Sequence, residues 1–420
     1  MSKILSLILI IINIIIITSL YSLNIIPTIF LLILVALILV INIPLLIVLF
    51  KKKKNIASIL AIVYIVCGLI GITYISKPYK FLNTITANNN QTRENYYLLS
   101  KEENNLENKK IGIYVEDNEL FNKAKEELKE ENLIPCLSIQ DMIDKLESKE
   151  IDGIFLSEFH KRTIKDGSLK VIDKIEVETK EEINSSLKLN DFTNIYITGT
   201  DSYNSNLRNE HDINIVASIN FKKNEVLLTT IPSHYYITLN NGHKDLIGHS
   251  MLYGIKPTLK AVETLLNTKI EHFIKVDYSI LIDVVDLIGG IEINKTLNSE
   301  ETLNLIRNSK TQEQKEKNQQ TVIEALINKI KNNPVLLNDN QVLEQISKSI
   351  KTNIDKQDIS SIIKKQIEEN PNWINNKINL DGQKQTNYTY TFGQQLIEVI
   401  EPNQQTLANA SNQIKNLANN

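Results

Sequence analysis

Two carboxylates carry the first hint of chemistry. Asp201 ends an apolar run at 192–200, and Asp212 opens the next one at 213–221, with a polar loop at 201–210 between them. A hard cation such as Mg²⁺ (or Mn²⁺) takes oxygen ligands. Two carboxylates that hold it against a substrate phosphate make a workable phosphoryl-transfer arrangement. Spacing alone leaves this open, because an Asp after a strand is more often a turn or cap residue. Cysteine chemistry is excluded more firmly. Cys67 lies in an apolar run and Cys136 in the polar part, so neither a Cys-based metal site nor a disulfide between two exported cysteines is available.

The elements that would position these carboxylates follow from patterning. Residues 213–221 and 225–231 flank a Lys-Lys-Asn turn and predict a hairpin. A helix is expected at 258–266, a buried strand at 273–276, and an apolar helix at 279–288 closed by Gly289-Gly290. Helix dominates beyond 299, to 331 and again over 341–369, before a strand at 387–392 and a polar tail. Upstream, strands at 111–115, 134–139 and 151–157 alternate with helices at 118–131 and 140–148, which predicts a small parallel α/β unit. Residues 78–109 are polar and read as a linker.

All of this follows three apolar runs, at about 5–20, 25–50 and 56–75. Roughly 20 apolar residues cross a bilayer core, so the second and third suffice outright. The first is short enough to resemble a signal peptide, but no small-residue cleavage site follows it. Lys3 and the four lysines at 51–54 flank these runs, and the loop at 21–24 has no cation. Positive charge stays inside, so the expectation is a multi-pass cell-membrane protein with a cytoplasmic N-terminus and extracellular C-terminal domains. Beyond the third run lie all 49 acidic residues and all but five of the 46 basic ones. That net negative balance argues against nucleic acid as a partner.

Seven segments occur in the order and spacing of the LytR–CpsA–Psr (LCP) family: NIYITGTDSY, HDINIVASIN, EVLLTTIPSHYYI, GHSMLYGI, HFIKVDY, VVDLIGGIEI and NQQTVIEAL. The resemblance covers about 186–333, and the anchor and accessory unit also resemble multi-domain members. It implies an α/β/α sandwich enclosing an apolar tunnel for a lipid tail, outside the membrane of a Gram-positive-type bacterium. It further implies a transferase that moves a glycopolymer, such as teichoic acid or capsule, from a polyprenyl-pyrophosphate carrier to peptidoglycan through a phosphodiester. By position, Asp201 and Asp212 match the family carboxylates that hold Mg²⁺, and either could activate the acceptor hydroxyl. Arg307 matches the first of the paired arginines. Lys275, Lys315 and Gln319 match substrate-binding positions, and Arg208 is a further candidate. The expected layout is an α/β protein with a transmembrane anchor (1–77), linker (78–109), α/β accessory domain (110–185), LCP domain (186–335) and a C-terminal section of helices, short strand and polar tail (336–420).

The departures fall on charged positions. Where the family has Ile-Pro-Arg-Asp, this chain has Ile231-Pro232-Ser233-His234; Ser309 replaces the second paired arginine and Lys315 the late-helix arginine. A guanidinium clamps phosphate bidentately, whereas lysine is a point charge and serine carries none. Lys275, Lys315, Arg208, Arg307 and His234 remain as sources of charge. A degenerate member that binds lipid-linked glycopolymer or partner proteins without catalysis, or a regulatory wall-associated membrane protein, are the alternative readings. His249 reads as a hydrogen-bonded structural histidine.

Overall fold

The structure is a computed structural model. It describes all residues except Met1, 51–54, 87–90, 103–105, 107, 115–118, 129–131, 137–138, 165–166, 181–191, 201–210, 240–241, 334–335, 337–338, 394 and 420. Asp201, Arg208 and the lysines at 51–54 therefore lie outside the described residues.

The apolar runs form α1 (Ser2–Leu23), α2 (Thr28–Phe50) and α3 (Asn55–Thr86), each long and apolar enough to cross a membrane. Many of their large side chains face outward: Val40 is 70% exposed and Ile56 76%. Such surfaces suit lipid as the surrounding medium. Asn13 is the one amide side chain in the first run, and its Oδ1 accepts from Tyr64 OH of α3 at 2.7 Å. Satisfying it there ties the helices together.

The first unit after the helical anchor comprises β1 (Gln91–Ser100), β2 (Ile111–Tyr114), α4 (Glu119–Leu128), β3 (Leu133–Cys136), α5 (Ile139–Glu147), β4 (Gly153–Ser157), α6 (Glu158–Thr163) and β5 (Lys170–Lys180). Its sheet order is β3-β2-β4-β1-β5. Strands β2, β3 and β4 are parallel as expected, but β1 is antiparallel to both neighbours, so the sheet is mixed. This corrects the linker at 78–109. α3 continues to Thr86, and β1 buries Tyr96, Leu98 and Leu99 near the middle of the sheet. A strand covered on both faces lacks the alternation that marks a half-buried one, and its polar beginning hid it further.

The second unit begins with β6 (Phe192–Thr200), β7 (His211–Asn220), β8 (Glu225–Thr230), β9 (Tyr236–Thr238) and β10 (Lys244–Leu246), then a 3-10 helix (Ile247–Tyr253) and α7 (Ile255–Leu266). Next come β11 (His272–Asp277), α8 (Tyr278–Leu287), β12 (Ile291–Glu292), β13 (Thr296–Leu297), α9 (Ser299–Arg307) and α10 (Gln312–Asn332). It closes with α11 (Asn340–Ser349), β14 (Ile350–Thr352), α12 (Lys356–Glu369), β15 (Ile374–Asn379), β16 (Gly382–Tyr388), β17 (Leu396–Pro402) and α13 (Gln404–Asn419). Six strands form the central sheet in the order β14-β11-β6-β7-β8-β15. One face packs on α7 and α13 through Tyr196, Val216, Val262 and Ile414. The other packs on α8 to α11 through Ile213, Val284, Val322 and Ile346, making the expected α/β/α sandwich.

The C-terminal section is part of this sandwich, which corrects the boundary at 335. β14 and β15 supply both edges of the sheet. The tail at 404–419 is α13, burying Leu407, Ala410, Ile414 and Leu417 in the core. Those four recur at helical spacing inside an otherwise polar string, and overall polarity masked the stripe.

Candidate functional site at the bulged start of β7

The pairing of β6 with β7 slips by one residue at its end. Gly199 faces Ile213 and Thr200 faces His211, so Asp212 is the extra residue of a β-bulge. Bulges re-aim side chains at sheet ends. Gly199 permits the close approach, since a Cβ there would come within 2.9 Å of the Cβ of Ile213.

The bulge directs consecutive side chains to different partners. Asp212 meets α10, where its Oδ2 accepts from Lys315 Nζ at 2.7 Å and Gln319 Nε2 at 3.2 Å. Lys315 and Gln319 are one helical turn apart and so share a face. The ion pair is little exposed, at 17% for the lysine side chain and 7% for the aspartate. Gln319 is buried, and its Oε1 has no hydrogen-bond partner. His211 turns instead to Thr198, with Nδ1 2.5 Å from the hydroxyl Oγ1. Its Nε2 is buried without a partner.

Lys275 lies in register with Thr198 on β6 and with Lys351 on β14. Burial, with the Lys351 cation next in weight, pushes its ammonium down to about 8, against a smaller opposing pull from Asp277. Burial and the Lys275 cation hold His211 well below its ordinary value. At neutral pH Lys275 is therefore largely charged and His211 neutral. Burial and His249 also lower His234, against weaker pulls from Glu398 and Asp212, so His234 is a poor source of positive charge.

The paired-arginine segment looks different. A capping box starts α9: Asn298 Oδ1 accepts from Glu301 N at 2.8 Å, and Glu301 Oε2 accepts from Asn298 N at 3.1 Å. Arg307 is the last residue of α9 and is exposed. Ser309 donates to Ile306 O at 2.7 Å and accepts from Asn318 Nδ2 at 3.1 Å, tying the end of α9 to α10. The structure thus brings Asp212, Lys315 and Gln319 together, with Lys275 in the neighbouring cluster around Thr198.

Asp245 anchors a separate buried network. His249 Nδ1 lies 2.8 Å from its Oδ1, as suits the structural reading of that histidine, and Thr391 N donates to its Oδ2 at 2.9 Å. His211 and Thr198 were not singled out from sequence. The available signal was a histidine directly before Asp212 at a strand start.

The LytR_cpsA_psr family model matches residues 159–304 and 294–408, more than half of the chain. The polyisoprenyl-teichoic acid–peptidoglycan teichoic acid transferase TagU of Bacillus subtilis is 26% identical over 204 residues, 43% of this chain and 66% of that protein. The Bacillus licheniformis protein of the same name is 28% identical over 192 residues, 40% and 63% of the respective lengths. The chain thus spans just under two thirds of these relatives. Among solved structures, B. subtilis TagV is 20% identical with a TM-score of 0.43, covering 55% of this chain and 98% of that one. A LytR-CPS2A-psr family protein, YwtF (TagT), with bound octaprenyl pyrophosphate lipid is 19% identical with a TM-score of 0.40, covering 56% and 93%.

Proposed function

The chain belongs to the LytR_cpsA_psr family, and on that premise we propose that it is a membrane-anchored transferase. It moves a glycopolymer from a polyprenyl-pyrophosphate carrier to peptidoglycan by a phosphodiester bond. The observation that carries this reading is the buried cluster of Asp212, Lys315 and Gln319 at the bulged end of the central sheet. The names of its TagU relatives support the reaction class and its two substrates. Lys3 and the lysines at 51–54 support a cytoplasmic N-terminus and an exported second unit.

In this reading an acceptor hydroxyl oxygen bonds to the phosphorus that bears the glycopolymer. The bridging P–O bond of the pyrophosphate breaks, polyprenyl phosphate leaves, and the hydroxyl proton passes to one of the carboxylates Asp201 and Asp212. Lys315 and Lys275 supply positive charge for the phosphates, and Arg307 and Arg208 are further candidates for the same task. Gln319 orients Asp212. The orphaned Gln319 Oε1 beside a carboxylate is a hard-oxygen donor set that fits Mg²⁺, with Asp201 and Asp212 as the residues that would hold it. When bound, Mg²⁺ would offset charge developing on the phosphate oxygens.

A second reading, a member that binds the lipid-linked polymer without transferring it, is favoured by one feature. Lys315 already neutralises Asp212, and Ser309 serves a helix end rather than a phosphate. The full chain in nanodiscs, given Mg²⁺, a polyprenyl-pyrophosphate sugar and peptidoglycan fragments, separates the two. Phosphodiester product that disappears in Asp201→Ala supports the transferase. Lipid binding without product supports the binder.

A further inference from the structure

The third membrane helix runs past its apolar section. After Ile75, α3 continues through Ser76, Lys77, Pro78, Tyr79 and Lys80 to Thr86. That last part docks on the second unit. Leu82 and Ile85 pack with Leu23, Ile350 and Ile359. Lys356 Nζ bonds Tyr79 OH and Asn83 Oδ1, each at 3.1 Å. The loop between α1 and α2 adds Asn24 Nδ2 to Ser361 Oγ at 3.1 Å and Thr28 N to Glu368 Oε1 at 2.7 Å. The sandwich thus sits on the end of the helix bundle.

Between α3 and α11 lies a groove of ≈ 520 Å³. Ser76, Lys77, Lys80 and Phe81 line it from α3, and Leu343 and Glu344 from α11. Its height is fixed by the helix, because about 20 apolar residues fill the bilayer core and Lys77 and Lys80 follow directly. Tyr74 and Tyr79 flank the lysines like an interfacial aromatic belt, with Lys77 Nζ 4.7 Å from the Tyr74 ring centre. Glu344 is paired with Lys348 at 2.8 Å, which offsets its charge at the rim. Phe81 also packs against the apolar cluster beneath α8 to α11, so the floor of the groove is greasy.

Two cations and a set of neutral hydrogen-bonding groups (Thr73, Ser76, Thr84, Asn340 and Ser347) beside apolar Phe81 and Leu343, at the level of lipid phosphates, suit the headgroup and upper chain of an anionic lipid. We propose that this groove binds the headgroup of an anionic glycerophospholipid from the adjoining leaflet and fastens α11 to α3. The lipid phosphate meets Lys77 and Lys80, and the upper acyl chain lies along Phe81 and Leu343. The proposal rests on membrane anchoring alone, independent of any transferase activity.

Native mass spectrometry of the full chain, released from nanodiscs of mixed phosphatidylcholine and phosphatidylglycerol, reads the site directly. Wild type retains phosphatidylglycerol selectively. Lys77→Gln and Lys80→Gln each lower that retention about fivefold, the effect of one basic residue at an anionic surface, and Lys77→Arg with Lys80→Arg restores it. Leu343→Trp fills the groove from α11 and releases the lipid with both lysines intact, whereas Leu343→Ala keeps it and serves as the folding control. Retention unchanged in Leu343→Trp would mean that the lysines only snorkel to the interface, and would overturn the site. Displacement by excess inorganic phosphate would mark a plain phosphate site and overturn the lipid assignment.

Discussion

Lys315 Nζ stands 2.7 Å from Asp212 Oδ2, and Gln319 reaches the same oxygen from one turn further along α10. A carboxylate placed by a β-bulge is met by two side chains of one helix face. The sheet end and α10 are thereby locked to each other.

Removing the cation should be costly. Lys315→Met leaves Asp212 buried without its ammonium partner, and breaking a buried pair in this way destabilises by about 3–5 kcal/mol. The partial exposure of Lys315 favours the lower end. Urea denaturation of the full chain should show the loss, with Lys315→Arg close to wild type. A Lys315→Met variant as stable as wild type would show that the pair does not hold the site together.

Gln319→Met should separate stability from function. The change deletes one hydrogen bond to Asp212 but also removes an orphaned buried acceptor, and these effects offset to within about 1 kcal/mol. Stability should stay near wild type while transfer falls, as expected for a side chain that orients the carboxylate. Equal losses in both would assign Gln319 a packing role only.

Lys275 gives the pH dependence. Its ammonium is lowered from 10.5 to about 8 in the fold, so it is charged below about 8 and neutral above. Affinity for a pyrophosphate lipid should therefore fall as pH rises through 8, and Lys275→Arg should flatten that fall. The sign for stability is opposite. The unfolded chain binds more protons between about 8 and 10.5, so stability rises with pH across that window. Isothermal titration across this range reads the first effect, and chemical denaturation at the same pH values the second.

The C-terminal helix should behave as core. Ile414 is fully buried against the α7 face, and Ile414→Ala should cost about 2–5 kcal/mol. A calorimetric melt that does not shift would return 404–419 to the status of a tail.

What the sequence made legible, and what it hid, has physical causes. The anchor was plain because an uncharged apolar run has one common explanation. The hairpin of β7 and β8 was plain because its turn residues separate two apolar runs, and Asn224 takes the left-handed conformation there, at φ 53°. β1 and α13 were hidden because Tyr96 and Ile414 are buried within locally polar strings, where only long-range packing reveals a buried face. Asp212 lies 107 residues before Gln319 in sequence, so its meeting with Gln319 and Lys315 was legible only through the family resemblance. His211 escaped because a lone histidine at a strand start has no spacing signal, and only the bulge aims it at Thr198.

The most direct test is the transfer rate of Asp212→Asn relative to wild type, with lipid binding measured on the same nanodisc samples. The amide keeps the shape and removes the charge. The account predicts that binding persists while phosphodiester formation falls by about 10²–10³-fold, the cost of losing one group that stabilises the transition state. Transfer at the wild-type rate in Asp212→Asn would contradict the assignment of this bulge as the reacting centre.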